Sequence, residues 1–126
     1  MASVLTLQAG PEAGPLGTKV AYYKLAMDTQ YATGGEGTST AISAHFDGVY
    51  GMDVLGLMAK QAMKWRFGLT GTFSATGGPN NLGYLTTSNC KVVAYRGCST
   101  TSECIEVASS TSLASASAII VCITGF

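Results

Sequence analysis

The stretch Ala62-Met63-Lys64-Trp65-Arg66-Phe67-Gly68-Leu69 puts large apolar side chains on its odd positions and sets Lys64 and Arg66 between them. Alternation with a period of two belongs to a strand that has one face on a core and the other in water, so these residues predict an antiparallel strand with Trp65 inside. Working outward, residues 19–28 are rich in aromatic and aliphatic side chains and end at a polar turn, which predicts a first main strand. Residues 51–59 are apolar on both faces and predict a central or interface strand. Further strands are expected at residues 91–96, briefly at 104–107, and at the apolar close, 118–125, where Cys122 reads as a small core residue. Between them, 74–81 and 97–103 are turn-like and 108–117 is a Ser/Ala-rich connector. Ala-Thr-Gly-Gly occurs at 32–35 and again at 75–78, but the flanks disagree, and two glycine turns account for it.

These elements predict an all-β chain, a small antiparallel β-sandwich or β-barrel with one short helix and an extended N-terminal arm. The helix is expected over residues 41–46, capped by Ser39 or Thr40. Residues 1–17 form the arm, because its second half carries Pro11, Pro15 and three glycines. Residues 18–126 form a single β-domain.

Composition narrows the function. Charged residues make up 11% of the 126, against about 25% in an ordinary soluble domain, and the net charge is zero. With 12 serines, 15 threonines and 16 glycines, small neutral groups take the place of surface charge. Seven balanced basic residues cannot displace counterions from a phosphate backbone, so nucleic acid is not an expected partner. The longest apolar run, residues 118–123, is far shorter than the ~20 needed for a bilayer-spanning helix, so no membrane is expected either. Residues 1–7 lack the basic start and long apolar run of a secretion signal. A weakly charged surface suits a chain packed among other protein, where few charges need desolvation.

Residues that could carry chemistry are sparse. His45 beside Asp47 suggests a catalytic pair, but near neighbours in sequence rarely face each other, and no nucleophile motif accompanies them. The carboxylates Asp28, Glu36, Asp47, Asp53, Glu103 and Glu106 single out no acid–base pair. Thr33-Gly34-Gly35-Glu36-Gly37 lacks the Gly-Lys-Ser/Thr end of a phosphate loop. Cys90, Cys98, Cys104 and Cys122 have no C-x-x-C spacing, so no metal is expected; free thiols and a Cys98–Cys104 bridge both stay open. The expectation is therefore a protein that is not an enzyme, with no catalytic residue and no cofactor. A second class, a glycan-binding module, would use Tyr22, Tyr23, Tyr31, Tyr50, Tyr84 and Tyr95 to line a sugar groove.

Residues 27–36, Met-Asp-Thr-Gln-Tyr-Ala-Thr-Gly-Gly-Glu, resemble a motif of small structural proteins of tailed bacteriophages. In those an early strand ends in aspartate and runs through a Tyr-x-Thr-Gly-Gly-Glu turn into a short helix. The likeness continues through residues 51–59 and 63–69 and the closing Thr111-Ser112-Leu113 connector, and so covers most of residues 18–126. Ala32 stands where proline is expected, and residues 1–17 have no clear counterpart.

The resemblance implies a capsid decoration, or cement, protein on the outer surface of the virion, assembled in the host cytoplasm. Its partners would be the major capsid protein and further copies of itself, as a homotrimer or a dimer; a tail or minor head component is the alternative. It implies that Tyr31, Thr33, Gly34, Gly35 and Glu36 determine the fold, with Glu36 favouring the N-terminus of the following helix. For the interface with capsid or neighbouring subunits, the expectation is Val4, Leu5, Leu7, Pro11, Pro15, Leu16, Tyr22 and Tyr23.

Overall fold

The computed structural model describes residues 4–27, 30–57, 65–75, 82–96, 106–107, 109–113 and 119–126. Among them the chain runs β1 (Val4–Ala13), a 3-10 turn (Pro15–Gly17), β2 (Lys19–Ala26), β3 (Glu36–Gly37), α1 (Ser39–Ser43) and β4 (Gly48–Leu57). It continues through β5 (Trp65–Thr70), β6 (Phe73–Ser74), β7 (Tyr84–Thr86), β8 (Lys91–Arg96) and β9 (Ile119–Gly125). Every strand pairing is antiparallel. A six-stranded sheet has the order β1-β2-β9-β4-β7-β6 and a three-stranded sheet the order β3-β8-β5. The expected all-β class is what the chain adopts, in a sandwich-like arrangement of two sheets with one short helix.

Alternation explains the core between the sheets. On β2, Ala21, Tyr23 and Leu25 are buried while Tyr22 and Lys24 are exposed, and on β9 Ile119, Val121 and Ile123 are buried. Val92 and Ala94 of β8 meet them from the small sheet, joined by Tyr31, Ile42, Phe46 and Leu113 from the connections. Each such aliphatic side chain, fully buried, contributes roughly 1.5–3 kcal/mol. Phe67 and Leu69 of β5 pack against this core, as their odd positions imply. Met63 and the side chain of Trp65 lie outside the described residues, as do Cys98, Cys104 and much of the repeated motif at 75–78.

The N-terminal segment is corrected. Val4–Ala13 is no separate arm but the edge strand of the large sheet, in register with β2 from Val4↔Ala26 to Ala13↔Lys19. Alternation decides this, since Leu5 is buried and Leu7 packs against the core. Proline and glycine are tolerated because an edge strand bonds on one side only, and two register shifts, Leu7/Ala9 and Ala9/Glu12, absorb the irregular part. Gly10 sits at φ +90, and a Cβ there would lie 2.7 Å from the Val20 carbonyl oxygen. Residues 4–17 therefore belong to the same folding unit as the rest.

Cys122 is a second correction. It falls on the outward-alternating set of β9, half-buried, opposite Tyr22 on one side and Asp53 on the other. In an all-apolar run the sequence cannot say which parity faces in. The helix starts earlier than expected, at Ser39, and its N-cap is Thr38, with no side-chain capping bond. It is anchored by Ile42, which is fully buried.

Candidate functional site

The Tyr31–Glu36 turn is a hydrogen-bonded knot that ties three distant segments together. The Tyr31 hydroxyl donates to Glu106 Oε1 at 2.8 Å and accepts the Ala94 N–H at 3.1 Å. Strand β3 pairs with β8 only at Val92 and Lys91, so the tyrosine hydroxyl takes over at Ala94, whose carbonyl accepts the Val107 N–H at 3.0 Å. Burial raises the Tyr31 hydroxyl well above its ordinary pKa, and the neighbouring Glu106 carboxylate raises it further. The backbone of Tyr31 is held as well, its N–H by Thr111 O at 2.9 Å and its carbonyl by the Ser110 N–H at 2.7 Å.

Gly34 donates its N–H to the same Glu106 oxygen at 2.6 Å, and Ala32 donates its own to Glu36 Oε1 at 3.0 Å. Thr33 bonds Ser109 through both its amide and its hydroxyl. Both glycines have positive φ, +98 and +111, where an L side chain is strained. At Gly35 a Cβ would also lie 2.9 Å from Lys91 Cβ and 3.1 Å from the Val92 carbonyl oxygen.

The structure thus brings Tyr31, Thr33, Gly34, Gly35 and Glu36 together in one turn. Sequence reasoning missed Glu106, Ser109 and Ala94, which complete the turn from 58 residues or more away; nothing local signals them. The Glu36 carboxylate also closes the turn locally, accepting the Ala32 N–H.

The interface residues divide by parity. Val4, at 51% exposure, and Tyr22, at 37%, face out, as do Pro11, Pro15 and Leu16 along β1 and the hairpin tip. Leu5 and Tyr23 are core residues, and Leu7 packs inward beside them, so these three are removed from the outer surface. Adjacent strand residues point to opposite faces, so Tyr22 and Tyr23 could not both have been exposed. The expected tyrosine groove is broken up as well, Tyr23 by strand alternation and Tyr31 by its turn, because both are buried in the core.

What remains outside is one broad surface, the outer face of the six-stranded sheet. Across β2, β9 and β4 it carries Tyr22 beside Cys122 and Lys24 beside Ile120, with Asp53 on the far side of Cys122. Lys24 and Asp53 are its charged side chains among the described residues of those three strands. At one end Phe126 lies over Gly48, where a Cβ would come within 2.5 Å of its ring. Tyr84 meets that ring edge-on at a centroid distance of 4.9 Å, and Tyr50 tilts against it at 5.6 Å. Such packed aromatic groups give a stiff, mostly uncharged surface of the composition that protein interfaces favour. No family model, curated protein or solved structure matches this chain.

Proposed function

We propose that this chain is a structural virion protein that binds the outer surface of a bacteriophage capsid through the major capsid protein and stabilises the head shell. The observation that carries the reading is the outer face of the large sheet: poor in charge among the described residues of β2, β9 and β4, with Tyr22 exposed on it beside Ile120 and the packed Tyr50–Tyr84–Phe126 group. Apolar and aromatic side chains on a rigid sheet lose little conformational entropy on docking, so a modest area binds well. The low charge supports the same reading, since hundreds of copies crowded on a shell must not repel one another. The resemblance of residues 27–36 points the same way, and the turn within it is held by hydrogen bonds to Glu106 and Ser109.

The test is cosedimentation of the purified chain with empty tailed-phage heads, with bound copies counted by quantitative mass spectrometry. Saturable binding at hundreds of copies per head, reduced by Tyr22→Lys, supports the reading. A handful of copies per particle would move the chain to a tail or minor head role. No association with any viral particle would overturn it.

A further inference from the structure

We propose that the free edge of β1 pairs with the same edge of a second copy of this chain, antiparallel and centred on Thr6, so that two six-stranded sheets become one continuous sheet. Among the described residues β1 is the outermost strand of its sheet, and its strand partner is β2. Alternate residues therefore direct N–H and C=O groups away from β2, a template for another strand. Only half of this edge is guarded. From Gln8 onward it carries the register shifts, Pro11 without an N–H, and the exposed Glu12. The opposite edge of the same sheet, β6, is just two residues long. Val4-Leu5-Thr6-Leu7 has none of these guards: no proline, no glycine and no charge, with unbroken register, and Gln8 at the first shift is uncharged too.

The occupant follows from the segment's own symmetry. Turned antiparallel about Thr6, it sets Leu5 of each copy opposite Leu7 of the other, on the core side where Leu5 is buried and Leu7 half-buried. Thr6 meets Thr6 on the solvent side, a β-branched pair that strands favour. Val4, more than half exposed, meets Gln8. No like charges come together, because these five positions hold none, and a two-fold contact of this kind closes on itself at two copies. In the single chain the Gln8 side-chain amide folds back on the Thr6 carbonyl at 3.2 Å, and a partner strand's N–H can replace that bond.

The pairing rests on the strand edge alone and is independent of capsid binding. Where both hold, it doubles the docking face and raises the effective concentration of each half. Sedimentation velocity over a concentration series up to about 1 mM, on the full chain and on Thr6→Lys, is the first test. Thr6 is exposed, so the lysine leaves the fold intact by circular dichroism and sets two cations opposite each other. A concentration-dependent dimer that Thr6→Lys weakens by about tenfold is the expected result. A short bis-maleimide added to Thr6→Cys should give a covalent dimer above the wild-type background, whereas Ser88→Cys, on the exposed β7–β8 turn, should not. A wild type that stays monomeric throughout the series, association unchanged by Thr6→Lys, or equal cross-linking of the two cysteine variants would overturn the proposal.

Discussion

Replacing Tyr31 by phenylalanine removes one oxygen atom from a fully enclosed position and leaves the ring where it is. The packing is preserved, so the whole effect comes from hydrogen bonds. Two are lost: the donation to the Glu106 carboxylate at 2.8 Å and the acceptance of the Ala94 N–H at 3.1 Å. The first is charge-assisted and worth about 1.5–3 kcal/mol. Losing the second leaves a backbone N–H unpaired on a residue with 0% exposure, at about 1–3 kcal/mol. Because Glu106 keeps the Gly34 N–H at 2.6 Å, part of the first loss is recovered. The net expectation for Tyr31→Phe is about 2–4 kcal/mol of destabilisation, seen in urea as a lower midpoint with unchanged slope and as a Tm lower by roughly 10 °C. Glu106→Ala should interact with it: in a double-mutant cycle Glu106→Ala costs at least about 1 kcal/mol less in the Tyr31→Phe background than in the wild type. A Tyr31→Phe protein within about 0.5 kcal/mol of wild type, or strict additivity in the cycle, would refute the idea that this hydroxyl ties the turn to β8.

The two glycines of the turn separate backbone strain from collision: Gly34→Ala, with open space at its Cβ position, should cost about 1–2 kcal/mol, and Gly35→Ala clearly more, as read by urea midpoints. Thr38 Oγ1 and Tyr50 Oη are buried with no hydrogen-bond partner among the described residues, so Thr38→Val and Tyr50→Phe should leave thermal stability unchanged or raise it by up to about 1 kcal/mol. Burial raises the pKa of Tyr23 and of Tyr31 above the ordinary 10.0. Their contribution to stability is therefore complete below that pH and is lost as pH climbs toward the folded-state values. In an alkaline titration followed by tyrosinate absorbance, Tyr23 and Tyr31 should ionise only together with unfolding, and Tyr31→Phe should remove one of those late ionisations.

How much was legible before folding depended on the range of the signal. The alternation of Phe67 and Leu69, the two-sided apolar run of β4 and the glycine turn at 34–35 are local, and each predicted its element. Where both parities were apolar, as around Cys122 on β9, the sequence held no information about which face was inside. At residues 4–13 proline and glycine suggested a loose arm, and the alternation of Leu5 and Leu7, which marks a strand, was the weaker signal in so short a run. The partners of Tyr31, by contrast, were invisible because they lie on β8 and in the 106–111 segment.

By itself, then, the sequence determined an antiparallel all-β chain of very low charge with a rigid glycine turn after the first main strand. Those properties follow from side-chain period, backbone freedom and net charge, all of which are readable within a few residues. Tertiary structure alone decided that residues 4–13 close the sheet as its edge, that Glu106 joins Tyr31 and Gly34 in the turn, and which tyrosines reach the outer face. Each of these is a pairing between segments far apart in the chain, fixed only when strand register is chosen, and burial of the largest apolar set is what chooses it.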